Sequence, residues 1–592
     1  MDLVNRIRGL VLAVSSPEKA GVGGSIPSLA TTYLQFRCRL RPETATRQSA
    51  IRVFYWLLAS SLVLSSLLFF LWSWRWPLVA DASEIHYVAF LIQRGWAPYR
   101  QIIDQQIPGT YLVELAGMHI FGMSSLSWRI YDFTLLGFAT IACFAITRIS
   151  TDSRNGLSAS AARQTAWFPG LFAACLFILI HGRDGLEQGG QRDFAMAVLL
   201  LGATAVLFTA VKRNWLWCSA VFGLCSGLAF SIKPTVLPLS FAQLVFACYI
   251  RRKKGARWLP HAGSAALAFL IAPAASIFFL LRQHAFGAFF AGFKTIVPYY
   301  ASLAHRPLSY ILIHSVSPVL LMVYLWLALQ ALLFFTRESV DWINDWERNI
   351  LVASAAFGLL DCIMQARALP YYRYPFLSFL LPLMALDFHR ALNRSILGAK
   401  PVFTPWARKS TSAVCITALA FGGLVVAPQS AILIHRYRWW ETDFITSLEK
   451  NLNALGGSNL SKHIVCIDSV SGCATVLYRM RLEPASAIPG DYLLFGPDSS
   501  PAVRQIRQKV VTDVFSNPPG VIVVSSHLHL DNDAAEDFRK LDRWPILSDF
   551  IAMHYNLVTE WHPTRPALWW SRPTTPASYR IYVLRPDGQT LR

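Results

Sequence analysis

Three acidic residues lie in one polar connection between apolar segments: Asp81, Glu84 and Asp104. From residue 79 the connection reads VADASEIHYVAFLIQRGWAPYRQIIDQQIPG. A carboxylate can deprotonate a hydroxyl or an amine, and carboxylates together can hold a divalent metal. A structural alternative exists for the first two, because Asp81 and Glu84 have the spacing of a capping box at a helix start. The presence of Asp104 in the same connection favours a shared site.

Polar groups that contain cations follow at the ends of later apolar segments. The motifs are GQRDF with Arg192 and Asp193, SIKPT with Lys233, and QARALPYYRYP with Arg367, Tyr372 and Arg373. Arginine binds phosphate well, because its planar guanidinium donates two hydrogen bonds at once. Any single cation is also explained by an interaction with lipid headgroups at the membrane surface. Their joint occurrence beside acids predicts a site for a phosphate-linked substrate.

The elements that must position these residues are apolar helices. The chain has 592 residues, of which 54% are hydrophobic and 15% charged. Residues 53–74 carry no charge, and about 20 apolar residues are needed to cross a bilayer as a helix. Ten further apolar segments have centres near residues 140, 173, 203, 223, 242, 270, 322, 356, 380 and 423. We therefore predict a polytopic α-helical membrane protein with about eleven transmembrane helices.

The distribution of lysine and arginine predicts the orientation of these helices. With a cytoplasmic N-terminus, the cytoplasmic connections carry 25 of these residues and the opposite connections carry ten. Lysine and arginine favour the cytoplasmic side of a membrane. Topology therefore accounts for much of the net charge of +20, and we expect no nucleic-acid partner. An odd number of spans then places the C-terminal region outside the cytoplasm.

Three regions follow from this organisation. Residues 1–52 are predicted to be a cytoplasmic N-terminal segment, and residues 53–435 a transmembrane body with a long outer loop at 76–125. Residues 436–592 are predicted to form an extracytoplasmic soluble α/β domain. Its strands are expected in HIVCIDS, GVIVVSS and YRIYVLR, and an amphipathic helix in residues 500–515.

Two segments outside the spans have distinctive patterns. Ile85, Val88, Leu91 and Ile92 form one apolar stripe, which predicts a helix at 84–94 lying along the membrane surface. Residues 285–300 are apolar but short and broken, and we expect them to lie in the membrane interface. In the C-terminal region, the spacing of Cys466 and Cys473 leaves open whether they form a disulfide.

The first outer connection resembles that of the GT-C superfamily of membrane glycosyltransferases, near the protein mannosyltransferases and the bacterial aminoarabinose-transferase-like enzymes. An acid follows the first span, then come a glycine and a Pro-Tyr pair, a second acid before a proline, and a closing Phe-Gly. GQRDF, IKP and YYRYP are similar to later landmarks of related bacterial members. The resemblance covers about residues 53–390. Many members have an adjacent Asp-Glu pair, whereas Ala82 and Ser83 separate Asp81 from Glu84 here.

The resemblance implies an inverting glycosyltransferase of the cytoplasmic membrane. The donor sugar would be carried on a polyprenyl phosphate, and the acceptor on the outer face would be a lipid, a glycan or a protein. Asp81 matches the catalytic base and Asp104 the second acidic position, with Glu84 beside them. Arg192, Asp193, Lys233, Tyr372 and Arg373 are the candidate substrate-binding residues, and a divalent metal at the acids is compatible with this chemistry.

Two alternatives come from other classes of protein. A transporter or flippase of lipid-linked sugars would also have many spans and outer cations, but transporters usually bind near the bilayer midplane within repeated halves. The sequence has no convincing internal repeat. In the other alternative, the C-terminal domain is the functional part and the spans are its anchor; eleven spans are far more than an anchor needs.

Overall fold

The structure is a computed structural model. It describes residues 29–152, 164–303, 305–336, 345–397, 404–437, 443–469, 471–486, 490–528, 538–564, 567–569, 572–574 and 577–586. Contacts divide the chain into two compact units, Met1–Arg52 and Val53–Arg592. Much of the predicted cytoplasmic segment 1–52 lies outside the described residues. The membrane body and the C-terminal region both belong to the second unit.

Every apolar segment that the sequence predicts to cross a membrane is helical. The helices up to residue 437 are α1 (Leu29–Ser73), α2 (Ala80–Gln93), α3 (Pro108–Phe121), α4 (Ser125–Asp152), α5 (Phe168–Arg183), α6 (Arg192–Arg213), α7 (Leu216–Ile232), α8 (Leu237–Lys253), α9 (Leu259–Phe269), α10 (Ile271–Arg282), α11 (Phe286–Ser302), α12 (Leu308–Val316), α13 (Leu320–Phe335), α14 (Trp346–Met364), α15 (Tyr374–Leu397), α16 (Pro405–Ala420) and α17 (Ala427–Tyr437). A π-helix, Phe421–Val426, joins α16 to α17.

Six helical stretches of the described chain are long and apolar enough to cross a membrane: Gln48–Ser73, Ser125–Ser150, Arg192–Arg213, Pro234–Lys253, Leu259–Arg282 and Pro405–Arg436. The number becomes seven if α12 and α13, which meet at an angle of 91°, form one broken span. Helices α5 and α7 are apolar but shorter. The chain is thus a multi-helical protein of membrane type, and the count of eleven stays a prediction.

Helix α5 is enclosed by other parts of the protein. Of its 16 residues, 14 are buried. A helix that is apolar on all sides belongs either to the core of a large protein or to a membrane span, so the predicted crossing by α5 stays a prediction. The segment 285–300 forms most of α11, which is not one of the six stretches, and its placement in the membrane interface also stays a prediction.

The connection after α1, which is predicted to be the first outer connection, folds into α2 and α3. Ten of the 14 residues of α2 are buried. The predicted helix is therefore present and is enclosed by protein, and its position along the membrane surface stays a prediction. The C-terminal region covers the helix: the hydroxyls of Ser83 and Thr475 lie 2.6 Å apart, and the Tyr87 hydroxyl donates to the Leu482 carbonyl at 3.1 Å.

The C-terminal region contains a four-stranded sheet, whose strands are, in spatial order, β1 (Ile464–Ile467), β2 (Val521–Ser525), β6 (Tyr579–Leu584) and β3 (Tyr555–Trp561). Strands β1 and β2 are parallel, with Ile464 opposite Val521, and the other two pairs are antiparallel. A separate pair, β4 with β5, is antiparallel. The elements are α18 (Asp443–Leu455), β1 (Ile464–Ile467), α19 (Cys473–Met480), α20 (Asp491–Leu494), α21 (Pro501–Val510), β2 (Val521–Ser525), α22 (Pro545–His554), β3 (Tyr555–Trp561), β4 (Ala567–Trp569), β5 (Arg572–Thr574) and β6 (Tyr579–Leu584).

The three strands and the helix predicted in this region are present as β1, β2, β6 and α21. Cys466 and Cys473 are joined by a disulfide. The region also contacts the first outer connection directly. The Trp96 indole donates to Glu483 at 3.0 Å, and the Tyr478 hydroxyl donates to the Met123 carbonyl at 2.8 Å. The sheet region is therefore packed over the connection that carries the three acids.

Candidate functional site

Asp81 is the second residue of α2, and its carboxylate does not cap the helix. The capping residue is Val79, which provides no side-chain hydrogen bond. The capping-box alternative for Asp81 and Glu84 is therefore wrong. Asp81 instead accepts a hydrogen bond from the Tyr371 hydroxyl at 2.8 Å. Burial, with the negative charge of Asp81 nearby, raises the pKa of Tyr371, so this hydroxyl remains a donor.

Asp104 lies in a tight turn before α3. One carboxylate oxygen accepts from the backbone N–H groups of Gln105 at 2.6 Å and Gln106 at 3.2 Å, and the other accepts from the Tyr111 hydroxyl. Burial raises the pKa of Asp104, although the bond from Tyr111 and the charge of Arg192 oppose this change. Both oxygens are thus used in holding the connection.

Glu84 completes the group of acids that the sequence predicted. It makes no hydrogen bond to any residue that the structure describes. Burial raises its pKa well above the usual range, and the charges of Asp104 and Asp81 raise it further. All three carboxylates therefore lie close enough to interact electrostatically, which is the arrangement expected from a shared site.

Glu187 is a fourth acid, which sequence reasoning missed. It lies in a single 3₁₀ turn, Leu186–Gln188, immediately before the motif that carries Arg192. Burial, followed by the charge of Asp81, raises its pKa to about 8. The available signal was its position: GLEQGGQRDF places an acid and the predicted cation Arg192 in one connection.

The predicted cations Arg192 and Lys233 meet at Asp193. The Arg192 Nε lies 3.3 Å from one Asp193 oxygen, and the Lys233 ammonium donates to the other. The ammonium also donates to Gln365, and it lies 4.2 Å from the centre of the Tyr372 ring. Asp193 is fully buried and therefore fixes both cations at one place.

Arg192 is the cation that faces the acids. Its guanidinium interacts electrostatically with Glu84, Asp104 and Tyr300. Its two terminal nitrogens donate to none of the described residues, since only Nε is bonded to Asp193. An arginine with two free terminal N–H₂ groups can still bind an oxyanion in a bidentate manner.

Arg367 and Arg373 have different surroundings. The Arg367 guanidinium stacks 3.8 Å from the centre of the Tyr300 ring and donates to the carbonyls of Tyr300 and Leu303. Arg373 donates to both oxygens of Asp184 and to two backbone carbonyls. Arg373 is thus paired with Asp184, whereas Arg367 interacts with Tyr300 and Tyr372, which also interact with Arg192.

The acids do not form a metal cage in the part of the chain that the structure describes. No three aspartate, glutamate, histidine or cysteine side chains in these residues are arranged to hold one ion. The carboxylates of Asp81 and Asp104 interact electrostatically with that of Glu84, and those of Asp81 and Asp104 accept hydrogen bonds from different residues. The chemistry that the described side chains support best is proton transfer next to a bound anion.

Structural comparison identifies the fold. The chain is similar to the crystal structure of ArnT from Cupriavidus metallidurans in the apo state, with a TM-score of 0.52 and 13% identity, covering 88% of this chain and 97% of that one. The same protein bound to undecaprenyl phosphate gives a TM-score of 0.51 and 12% identity with the same coverage. The chain has the GT-C fold. The acids follow its first span, and the cations follow later ones.

A weaker similarity is to the archaeal oligosaccharyltransferase AglB from Archaeoglobus fulgidus, in complex with an inhibitory peptide and a dolichol-phosphate. The TM-score is 0.44 and the identity 13%, covering 81% of this chain and 72% of that one. Sequence comparison finds no matching family model and no matching curated protein.

Proposed function

We propose that this protein is an integral-membrane glycosyltransferase that moves a sugar from a polyprenyl-phosphate donor to a hydroxyl or amine acceptor on the outer face of the cytoplasmic membrane. The observation that carries the proposal is a set of interactions around Glu84. Asp81, which accepts a hydrogen bond from Tyr371, interacts electrostatically with Glu84, and so does the guanidinium of Arg192. ArnT, whose fold is similar, has been solved bound to undecaprenyl phosphate.

Asp81 is the general base in this proposal. It takes the proton of the acceptor while the acceptor oxygen or nitrogen attacks the anomeric carbon. The bond from that carbon to the phosphate oxygen breaks, and its electron pair leaves with the polyprenyl phosphate. Attack from the face opposite the leaving group inverts the anomeric centre. The bond from Tyr371 fixes the carboxylate, so that one oxygen remains available for the acceptor.

Arg192 is the proposed partner of the leaving phosphate. Charge builds up on the phosphate as the glycosidic bond breaks, and a fixed cation stabilises this charge most in the transition state. Lys233 shares Asp193 with Arg192 and therefore holds it in place as well as adding positive charge. Tyr372 lies against the Lys233 ammonium and interacts electrostatically with Arg192 and Arg367.

Asp104 and Arg373 have supporting roles in this proposal. The oxygens of Asp104 accept from two backbone N–H groups and one tyrosine, which suits a residue that holds the loop. Arg373 is paired with Asp184 and with carbonyls near α12, which suits a residue that joins helices. Glu84 and Glu187 remain to orient the acceptor beside Asp81.

The test is Asp81→Asn in purified membranes supplied with a labelled polyprenyl-phosphate sugar. The amide keeps an acceptor for the Tyr371 hydroxyl but cannot take a proton, so folding should persist while transfer falls by about 10²- to 10⁴-fold. Asp549→Asn is the matched control, because Asp549 is exposed on α22. Full transfer by Asp81→Asn would overturn the proposal.

The same material separates transfer from transport. In a reconstituted vesicle, a glycosyltransferase forms a new glycosidic bond, and a flippase moves the labelled lipid-linked sugar to the other leaflet without one. Movement between leaflets in the wild-type protein and in Asp81→Asn, with no bond formed by either, would favour the transporter alternative.

A further inference from the structure

Tyr492, in the C-terminal region, reaches the connection that carries the acids. Its side chain is 7% exposed, and its hydroxyl donates to the Gln105 side-chain carbonyl at 2.8 Å. Gln105 directly follows Asp104 and donates its backbone N–H to the Asp104 carboxylate. The tyrosine hydroxyl therefore holds the turn in which Asp104 is fixed.

The same residue also holds the opposite side of the site. Its backbone carbonyl accepts from the Tyr299 hydroxyl at 3.2 Å, and its ring lies 5.4 Å from that of Tyr300. Tyr300 in turn stacks on Arg367. Tyr492 is thus one residue that contacts both the turn at Asp104–Gln106, hereafter the acid-bearing turn, and the end of α11 beside the cations.

The electrostatic surroundings suit a permanent hydrogen-bond donor. Burial raises the pKa of Tyr492 well above its usual range, and the nearby Tyr300, Glu84 and Asp104 raise it further. Arg367 opposes this change. A phenol that stays protonated at every physiological pH keeps its bond to the amide oxygen of Gln105.

We propose that Tyr492 is a positioning residue for the transfer reaction: its bond to Gln105 sets the distance between the acid-bearing turn and the cations bordered by α11. The proposal rests on the proposed function and gives the C-terminal region a task within it. The donor phosphate is bound on the cation side. Loss of the tyrosine hydroxyl should therefore lower kcat and leave the KM for the lipid donor nearly unchanged.

The experiment is a double-mutant cycle with Tyr492→Phe and Gln105→Ala, assayed with the labelled polyprenyl-phosphate sugar. Removing the hydroxyl leaves a poorly solvated acceptor, and we expect each single variant to lose about tenfold in kcat with less than about a twofold change in KM. Because both remove the same bond, the double variant should lose about tenfold as well, not about a hundredfold. Additive losses, or wild-type kcat in Tyr492→Phe, would overturn the proposal.

Tyr555→Phe is the matched control. Tyr555 is 2% exposed, belongs to the same hydrophobic cluster and donates its hydroxyl to the Pro519 carbonyl at 2.8 Å. It has the same kind of bond within the sheet region, without contact to the acid-bearing turn. We expect its kcat to match the wild type. A loss equal to that of Tyr492→Phe would indicate a general effect on the C-terminal region and would overturn the positioning role.

A second measurement tests the contact without any transfer assay. The backbone N–H groups of Gln105 and Gln106 are bonded to Asp104, and their hydrogen exchange reports on the turn. We expect about tenfold faster exchange in Tyr492→Phe than in Tyr555→Phe. Equal exchange would overturn the inference alone. The two measurements can also disagree. If exchange is faster in Tyr492→Phe but Asp81→Asn still transfers the sugar normally, the contact is supported and only the proposed function is overturned.

Discussion

At the scale of single residues, the backbone beside two side chains of the site has a costly conformation. Ala80, next to Asp81, has a φ of 52°, and Ala366 and Ala368, on either side of Arg367, each have a φ of 55°. A residue other than glycine in this region costs on the order of 1–3 kcal/mol, and such residues cluster at functional sites. The surrounding packing must hold these two side chains in place against that cost.

Glu187 gives a pH-dependent prediction. Its ordinary pKa is 4.5 and its pKa in the folded protein is about 8. Between these values the folded protein keeps a proton that the unfolded chain has released, so stability is lost as the pH rises through this window. Glu187→Gln removes the effect. Compared with the wild type, the variant should gain melting temperature in detergent at about pH 9 but not at about pH 5.

Each pKa unit corresponds to about 1.4 kcal/mol, so the largest gain for Glu187→Gln is a few kcal/mol. Glu449→Gln is the comparison, because Glu449 lies on α18 and is only partly buried beside Arg479. Its melting temperature should follow that of the wild type at both pH values. An equal change for Glu187→Gln at both pH values would contradict the assigned burial of its carboxyl group.

At the scale of elements, α3 lies against the end of α7 that leads to Lys233. A Cβ atom added at Gly109 would lie 2.3 Å from the Ser231 carbonyl oxygen, which is backbone and cannot move alone. Gly109→Ala should therefore push α3 away and destabilise the protein by about 1–3 kcal/mol, as overpacking does. The melting temperature in detergent and the KM for the lipid donor measure the two consequences.

The same helix contains the control for this substitution. A Cβ atom at Gly117 would meet only the Tyr131 ring, at 3.9 Å, an ordinary contact distance. Because alanine favours a helix over glycine by about 1 kcal/mol, Gly117→Ala should be neutral or stabilising. If both variants behave alike, the close approach of α3 to Ser231 does not control stability.

Local sequence patterns predicted the secondary-structure elements better than they predicted which residues pack against those elements. The β-branched runs identified β1, β2 and β6, because such residues favour strands wherever they pack. They did not identify β3, whose residues are largely exposed at the edge of the sheet. The apolar stripe of α2 indicated a helix, but α19 covers its other face, and no local pattern contains a partner almost 400 residues away.

The site was predictable only in part for the same reason. Acids and an arginine at the ends of spans could be expected to meet on one side of a membrane. The tyrosine that bonds Asp81 is 290 residues distant, and nothing in its own motif distinguishes it from its neighbour Tyr372. Arg373 is paired with Asp184, which lies 189 residues earlier and carries no signal of its own.

At the scale of the whole molecule, contacts between distant regions restrict the topology. The C-terminal region bonds to the first outer connection through Trp96, Tyr87 and Met123. Both must therefore lie on the same side of the membrane, so the chain crosses an even number of times between them. With α1 included, the number of spans within the described residues is odd. Six spans are excluded by this condition, whereas seven and the predicted eleven both satisfy it.

The remaining prediction is which side carries the site. Lysine and arginine are concentrated in connections such as RRKKGAR at 251–257. This distribution favours a cytoplasmic location for those connections and an outer location for the connection that carries Asp81, Glu84 and Asp104. A phosphatase that is active only outside the cytoplasm, fused after residue 592, should be active, and the same enzyme fused after residue 254 should be inactive. Activity in the second fusion and not in the first would invert the orientation, and with it the face on which the sugar donor is bound.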